Sequence, residues 1–360
     1  MIALLFSFAV TTAFIPGIFG AASNTAWAVM WLVAPVLLLN CKIGVTPITV
    51  LGALFLAYAS ISLLWSPHGL LELMQLLALA SVFVWGLALK DLRNVTIGLS
   101  VGLAVSSVIA ILQYFKAELL IINFTKFSGL FINSNIYAEV SGMIFILLII
   151  NKLWWYIPVT IPGLLVSSRA VVLALGVSLA MFIWHKSKIA SIGIVLASWF
   201  IALKLSFRDA LIDLSSASSI NTQSINIRFN IWLDMLQGFN LFGNGIGSFV
   251  YLFPYYNKHL DTTVSLAEYA HNDLMQLIFE LGIGALPLVM IVGLLLKINH
   301  EYRNALVFFI IIGFFGFPLH MPVTAFIVAL VAAQLAKLSL GSRVTVNSRG
   351  PILLNRMETV

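Results

Sequence analysis

The chain has 360 residues, of which 61% are hydrophobic and only 9% charged, with a formal net charge of +6 and a mean hydropathy of +1.06. Charged residues make up roughly a quarter of a soluble globular chain, so this composition excludes a water-soluble domain and leaves an all-α polytopic membrane protein. A single cysteine, Cys41, excludes a disulfide framework, a cysteine-based zinc site and an iron–sulfur cluster, and the scattered histidines contain no His-x-x-x-His pair, so neither a metal nor another cofactor is expected.

A membrane-crossing helix needs about 20 apolar residues, fewer where it is short or tilted. Taken in order, the stretches that meet this are 2–20, 26–40, 47–65, 70–89, 95–115, 136–151, 153–167, 170–184, 189–206, 272–296, 305–319 and 322–338, about twelve transmembrane helices. The runs 153–167 and 305–338 are interrupted by Pro158, Pro162, Pro318 and Pro322. No basic residue precedes the first apolar stretch, so it reads as a retained helix, although Gly20-Ala21-Ala22-Ser23 has the small residues of a cleavage site. The chain thus divides into helices 1–9 over 1–206, a long polar loop over 207–270, helices 10–12 over 271–338, and a basic tail over 339–360.

Lys and Arg set orientation, because they accumulate on the cytoplasmic side. With the N-terminus inside, twelve of the 19 basic residues are cytoplasmic and seven are not, while only three of the 13 acidic residues are cytoplasmic. Both termini are therefore expected in the cytoplasm. The loop between helices 9 and 10 then lies outside, and so do the N-termini of helices 6, 8 and 10.

Several constellations fall at that outer end. Arg169 opens helix 8, where free N–H groups and a guanidinium can converge on an anion; the alternative is an interfacial arginine reaching for headgroups. Within the loop, residues 224–237 read as an amphipathic helix with Asn226, Asn230, Asp234 and Gln237 on its polar side. Arg228 falls on the apolar side, between Met235 and Trp232. A guanidinium there needs an anionic ligand, or an internal ion pair with a membrane carboxylate such as Glu139 or Glu72. A glycine-rich turn follows, Gly238 to Phe249, which could approach phosphate closely but lacks the strand and lysine of a nucleotide motif, and a simple tight loop is the better reading of it taken alone.

His271 stands at the mouth of helix 10, followed by Asn272. A helix N-terminus favours a neutral imidazole able to act as a base, while Asp273 would counter this or orient the ring, and a capping role is the alternative. Asp273, Gln276 and Glu280 form one polar stripe on that helix, which must face a protein interior or a wet cavity. Asn133, Asn135, Tyr137 and Glu139 at the head of helix 6 can hydrogen-bond a sugar or cap the helix. Lys116 and Lys126 on the preceding loop can attract anionic headgroups or remain solvated.

Four of these motifs occur in an order that resembles the O-antigen ligase and O-antigen polymerase superfamily of bacterial envelope glycosyltransferases. They are Gly129-Leu130-Phe131-Ile132-Asn133-Ser134-Asn135; Ser168-Arg169-Ala170; Arg228-x-x-x-Trp232 leading into Leu241-Phe242-Gly243-Asn244-Gly245-Ile246-Gly247-Ser248-Phe249; and His271-Asn272 with Glu280-x-Gly282. The resemblance covers roughly residues 60–300. It implies a metal-independent, inverting transferase of the membrane-embedded GT-C type in the bacterial inner membrane, using an undecaprenyl-diphosphate-linked glycan as donor at the periplasmic face. Lipid A-core would be the acceptor of a ligase, and a second lipid-linked glycan that of a polymerase; membrane lipids are further partners and nucleic acid is not. By the same resemblance Arg169 and Arg228 would hold the diphosphate and His271 would activate the acceptor hydroxyl. Asn133, Asn135, Trp232, Gly243, Gly245, Asn272 and Glu280 would contact substrate. The ligase reading is narrowly preferred. A lipid-linked oligosaccharide transporter is the alternative of another class, and the missing internal repeat speaks against it.

Overall fold

The computed structural model describes residues 1–12, 26–33, 44–66, 68–115, 128–131, 133–166, 168–215, 220–258 and 267–347, without the side chains of 206–215, 220–226 and 340–347. Cys41, Lys116, Lys126, Ser167, the candidate cleavage site at 20–23 and the end of the basic tail lie outside the described residues, as do parts of the 207–270 loop. Every regular element among the described residues is helical. We number them α1 (Ile2–Thr12), α2 (Pro47–Ile61), α3 (Leu70–Ala88), α4 (Arg93–Tyr114), α5 (Ser134–Ile150), α6 (Arg169–Ile183), α7 (Lys188–Ser215), α8 (Ile220–Gln237), α9 (Phe249–Tyr256), α10 (Asp273–Leu281), α11 (Leu286–Leu296), α12 (Tyr302–Phe315) and α13 (Pro322–Asn347).

Among the described residues, six stretches are long and apolar enough to cross a membrane: Pro47–Leu64, Leu70–Ala88, Arg93–Tyr114, Lys188–Leu205, Asp273–Leu296 and Pro322–Ser339. α1, α5, α6 and α12 are apolar but shorter. The structure corrects the expected span 153–167. A 3-10 segment, Trp154–Thr160, runs into the single α-turn Ile161–Leu164, because Pro158 and Pro162 remove donors and forbid a continuous α-helix. The chain nevertheless travels back along α5: Leu153 N donates to Leu148 O (2.9 Å) near the end of α5, and Gly163 abuts Ser141 and the Tyr137 carbonyl near its start. Arg169 therefore emerges at the same end of the bundle as Asn133.

α5 is the central post, with Tyr137, Val140, Ile144 and Leu148 fully buried. Around it the helices approach closely where small residues permit. α1 lies on Gly98 and Gly102 of α4, four residues apart, where an added Cβ would strike the Leu4 carbonyl and Ser7 hydroxyl at 2.2 Å and Thr11 Cβ at 2.6 Å. Such small-xxx-small faces let backbones meet in a membrane, where no hydrophobic drive between helices exists.

The loop helix α8 departs from its expected polar side. Ile231 and Met235 pack with Phe249, Phe253 and Phe279, as the apolar face requires. Asp234, however, is fully buried, and its Oδ2 accepts from Lys258 N (3.1 Å), since the chain folds back over it after α9. Phe229, Leu233 and Leu236 are exposed instead, an outward apolar stripe of the kind carried by helices lying in a bilayer interface.

Candidate active site

The expected helix 272–296 is two helices. α10 stops at Gly282, whose φ of 53° lies in the left-handed region, and a 3-10 turn through Ala285 leads into α11, with a proline in its first turn. A break frees backbone groups that lipid cannot satisfy. The glycine-rich turn satisfies them: Asn244 N and Gly245 N donate to the carbonyls of Phe279 (3.1 Å) and Glu280 (2.8 Å), and Ile283 N donates to Leu241 O (2.8 Å). Its other side is wedged against the turn after α2, where Ile246 N donates to Ser62 Oγ (3.1 Å). Gly245 has φ 95°, and a Cβ there would lie 2.6 Å from Ser66 Cβ. Gly245→Ala is expected to cost about 1–3 kcal/mol of stability or more from backbone strain alone, measured as a lower thermal midpoint of the detergent-solubilised protein.

The same stitching orders the stretch before α10. Trp232 Nε1 of α8 donates to Ala270 O (2.9 Å), and Ala270 N donates to Gln276 Oε1 (3.0 Å). His271 follows with φ 53°, a left-handed conformation uncommon for a side chain of this size. Asn272 then caps α10, accepting from Met275 N (3.0 Å). The imidazole rests edge-on against Phe317, with ring centroids 5.1 Å apart. Burial, and after it the Arg228 charge, push its pKa down to about 4. The ring is thus neutral near pH 7, and one reason is a neighbouring arginine.

Arg228 is the electrostatic centre. Burial pulls its proton affinity down, Glu139 supports the charge, and Arg169 opposes it. Arg169, Arg228 and Glu139 therefore sit within one field, together with His271. Among the described residues neither Glu139 nor Glu72 makes a direct ion pair with Arg228 within 4 Å. Two half-buried guanidiniums thus lie in the field of one carboxylate.

The stripe on α10 is buried and engaged. Asp273 does not orient His271. Its two oxygens accept from Leu319 N (2.9 Å) and His320 Nδ1 (3.1 Å), both in the turn before α13. Gln276 Nε2 donates to Glu280 Oε1 (3.2 Å) and contacts His320 Nε2 (3.1 Å). Glu280 Oε2 accepts from Gly247 N (3.0 Å), which ties the glycine turn down a second time. Behind the stripe lies an apolar cavity of about 500 Å³, whose polar end is formed by Glu72, Gln75, Asp273, Gln276, Glu280 and His320. Arg169, Arg228 and His271 do not line it.

Compared with known families, residues 137–290 match the model described as O-antigen ligase. Over this segment the chain is similar to the O-antigen ligase/polymerase superfamily. No curated protein matches the chain.

The matched segment takes in Arg169, Arg228, Trp232, the glycine turn, His271, Asn272 and Glu280, and leaves out Asn133, Asn135 and His320. Of the residues expected at the site, the fold brings Arg169, Arg228 and His271 together. The polar groups of others hold the fold in shape: Asn133 caps α5 by accepting from Ile136 N (2.9 Å), and Trp232, Asn272, Gly243, Gly245 and Glu280 fix the entry to α10 and its break. Tyr137 is likewise committed, its hydroxyl 2.7 Å from Ser107 Oγ. Asn135 is exposed on the first turn of α5. Phe317 and His320 were missed by sequence reasoning. The available signal was a histidine amid apolar residues between two prolines and a long helix, Pro318-Leu319-His320-Met321-Pro322.

Proposed function

We propose that the protein is an inner-membrane glycosyltransferase that moves a glycan from undecaprenyl diphosphate to a hydroxyl of lipid A-core at the periplasmic face. Both termini are then cytoplasmic, in keeping with the excess of Lys and Arg on that side. The observation that carries this reading is Arg228, a half-buried guanidinium without a direct carboxylate partner among the described residues, within electrostatic reach of both Arg169 and His271. The ligase description of the matched family fits it.

The chemistry follows from the charges. Attack by the acceptor hydroxyl on the anomeric carbon forms a new C–O bond on the face opposite the departing diphosphate, so configuration inverts. The electron pair of the broken bond goes to the phosphate oxygen, and Arg169 and Arg228 stabilise that growing charge. Guanidinium suits this task because its planar fork matches two phosphate oxygens. The hydroxyl proton passes to His271, which must be neutral to accept it. Each turnover ends with glycosylated acceptor, undecaprenyl diphosphate and a proton to be returned to water.

The pH dependence has a definite sign. A base with a folded pKa of about 4 is competent above that pH and lost as pH falls through it. The acid limb of kcat/KM, which reports the free enzyme, is therefore expected near pH 4 and not near the ordinary histidine value of 6.5. Bound diphosphate offsets the Arg228 charge, so the limb in kcat is expected at higher pH. Initial rates across the acid range measure both, and a kcat/KM limb at 6.5 would contradict a desolvated His271.

Deleting the gene tests the function in the cell. A strain that accumulates bare lipid A-core and leaves finished polymer on the lipid carrier supports the ligase. Core carrying one repeat unit points to the polymerase of the same superfamily, and unchanged glycans contradict both.

A further inference from the structure

We propose that the turn between α12 and α13 is the positioning element for His271, acting through Phe317 and His320, a role that rests on His271 being the base. His271 is held in a left-handed conformation. Such a conformation is strained and persists only when its surroundings over-determine it. The surroundings that do so come largely from this one turn, 46 and more residues away in sequence.

On one side of His271 the turn grips the ring and what precedes it. The Phe317 ring stacks on Tyr269 at 4.5 Å and 17°, and meets the imidazole edge-on at 5.1 Å. His320 closes the other flank of Tyr269, with centroids 5.0 Å apart. Two aromatic rings of the turn thus fix the residue two before His271, and one of them also fixes the imidazole.

On the other side the turn grips the helix that follows. Leu319 N and His320 Nδ1 occupy both carboxylate oxygens of Asp273, two residues after His271. With its proton on Nδ1, His320 Nε2 can accept from the Gln276 amide, whose oxygen already accepts from Ala270 N. The chain His320–Gln276–Ala270 returns to the residue immediately before His271. Ala270 before the strained residue and Asp273 after it are consequently tied to the same turn, and a shift in the turn moves the imidazole. A displacement of about 1 Å at a reacting group can cost on the order of 10²-fold in rate. None of these contacts touches Arg169 or Arg228, so donor binding is expected to survive.

A double-mutant cycle on the full-length protein in liposomes tests this, with an undecaprenyl-diphosphate-linked glycan as donor and lipid A-core as acceptor. His320→Ala is expected to lower kcat by about 10–100-fold with KM for the donor unchanged. His320→Asn, whose amide can still donate to Asp273, is expected to recover most of that loss. Residues that act as a unit are non-additive, so His271→Ala/His320→Ala is expected to be no slower than His271→Ala. Should His320→Ala fail to reach the membrane, Phe317→Leu makes the same test, since it removes the ring from His271 and leaves the Asp273 bonds in place. Wild-type kcat in these variants, or losses that multiply in the double mutant, would overturn the positioning role while leaving His271 as base. Near-normal transfer by His271→Ala would remove the base itself, and the positioning role with it.

Discussion

Replacing His271 by asparagine is expected to lower transfer by about 10²–10⁴-fold, the usual worth of a positioned general base. Asparagine is the informative choice because it tolerates the left-handed backbone that His271 adopts, yet it cannot accept the hydroxyl proton near neutral pH. The fold around it should hold, since the hydrogen bonds of this stretch belong to Ala270, Asn272, Asp273 and Gln276. The measurement is single-turnover transfer from purified donor by protein shown to be inserted. If the variant transfers at close to the normal rate, His271 is a capping or packing residue and another group takes the proton. Tyr269 is a poor substitute, because burial and then the Glu268 and Glu72 charges push its phenol up to about 12.

Arg228→Lys is the second large effect, expected at about 10²–10³-fold, the range seen when one preorganised donor to a developing oxyanion is lost. The substitution keeps a positive charge in the field of Glu139 and removes the two-pronged donation to phosphate. It therefore separates two roles that a neutral substitution would confuse. If Arg228 serves as the internal counter-charge of Glu139, lysine suffices and activity stays normal. If it clamps the diphosphate, activity falls while insertion and thermal midpoint change little. The same logic makes Glu139→Gln useful beside it. Glu139 supports Arg228, sits under the field of Asp273, and lies close to Gly316, where a Cβ would come within 3.1 Å of its Oε1.

Much of the site was legible because polarity is scarce in this chain. With 9% charged residues, an arginine on an apolar helix face or a histidine beside a polar stripe stands out. What stayed hidden depends on partners far away in sequence. Helical periodicity put Asp234 with the polar residues of α8, but its acceptor role toward Lys258 N exists only once the chain folds back. The stripe on α10 was visible as a stripe, while its principal partner, His320, lies 47 residues beyond Asp273. Gly282, Gly284 and Pro287 marked a break in the helix that hydrophobicity alone ran through, since the segment is apolar on both sides of it. The glycine turn, open to either a phosphate or a tight-loop reading, is packed into that break. The two prolines at 158 and 162 likewise mark the place where an apolar run is not an α-helix.

The arrangement also explains why the three groups at the site come from three distant segments. Arg169 begins a helix, Arg228 lies on the amphipathic loop helix, and His271 stands at the entrance to a broken one. The turn before α13 and the glycine turn anchor the last of these, while Trp232 links it to the second. These links hold the groups at one end of the bundle.

The most direct test places the purified full-length protein in liposomes with an undecaprenyl-diphosphate-linked glycan and lipid A-core, and follows both lipids by mass. The expected result is glycan covalently joined to lipid A-core with release of undecaprenyl diphosphate in equal amount, abolished by His271→Asn and strongly reduced by Arg228→Lys. Movement of the intact donor from one leaflet to the other, with no new bond to the acceptor, would contradict a transferase and return the protein to the transporters.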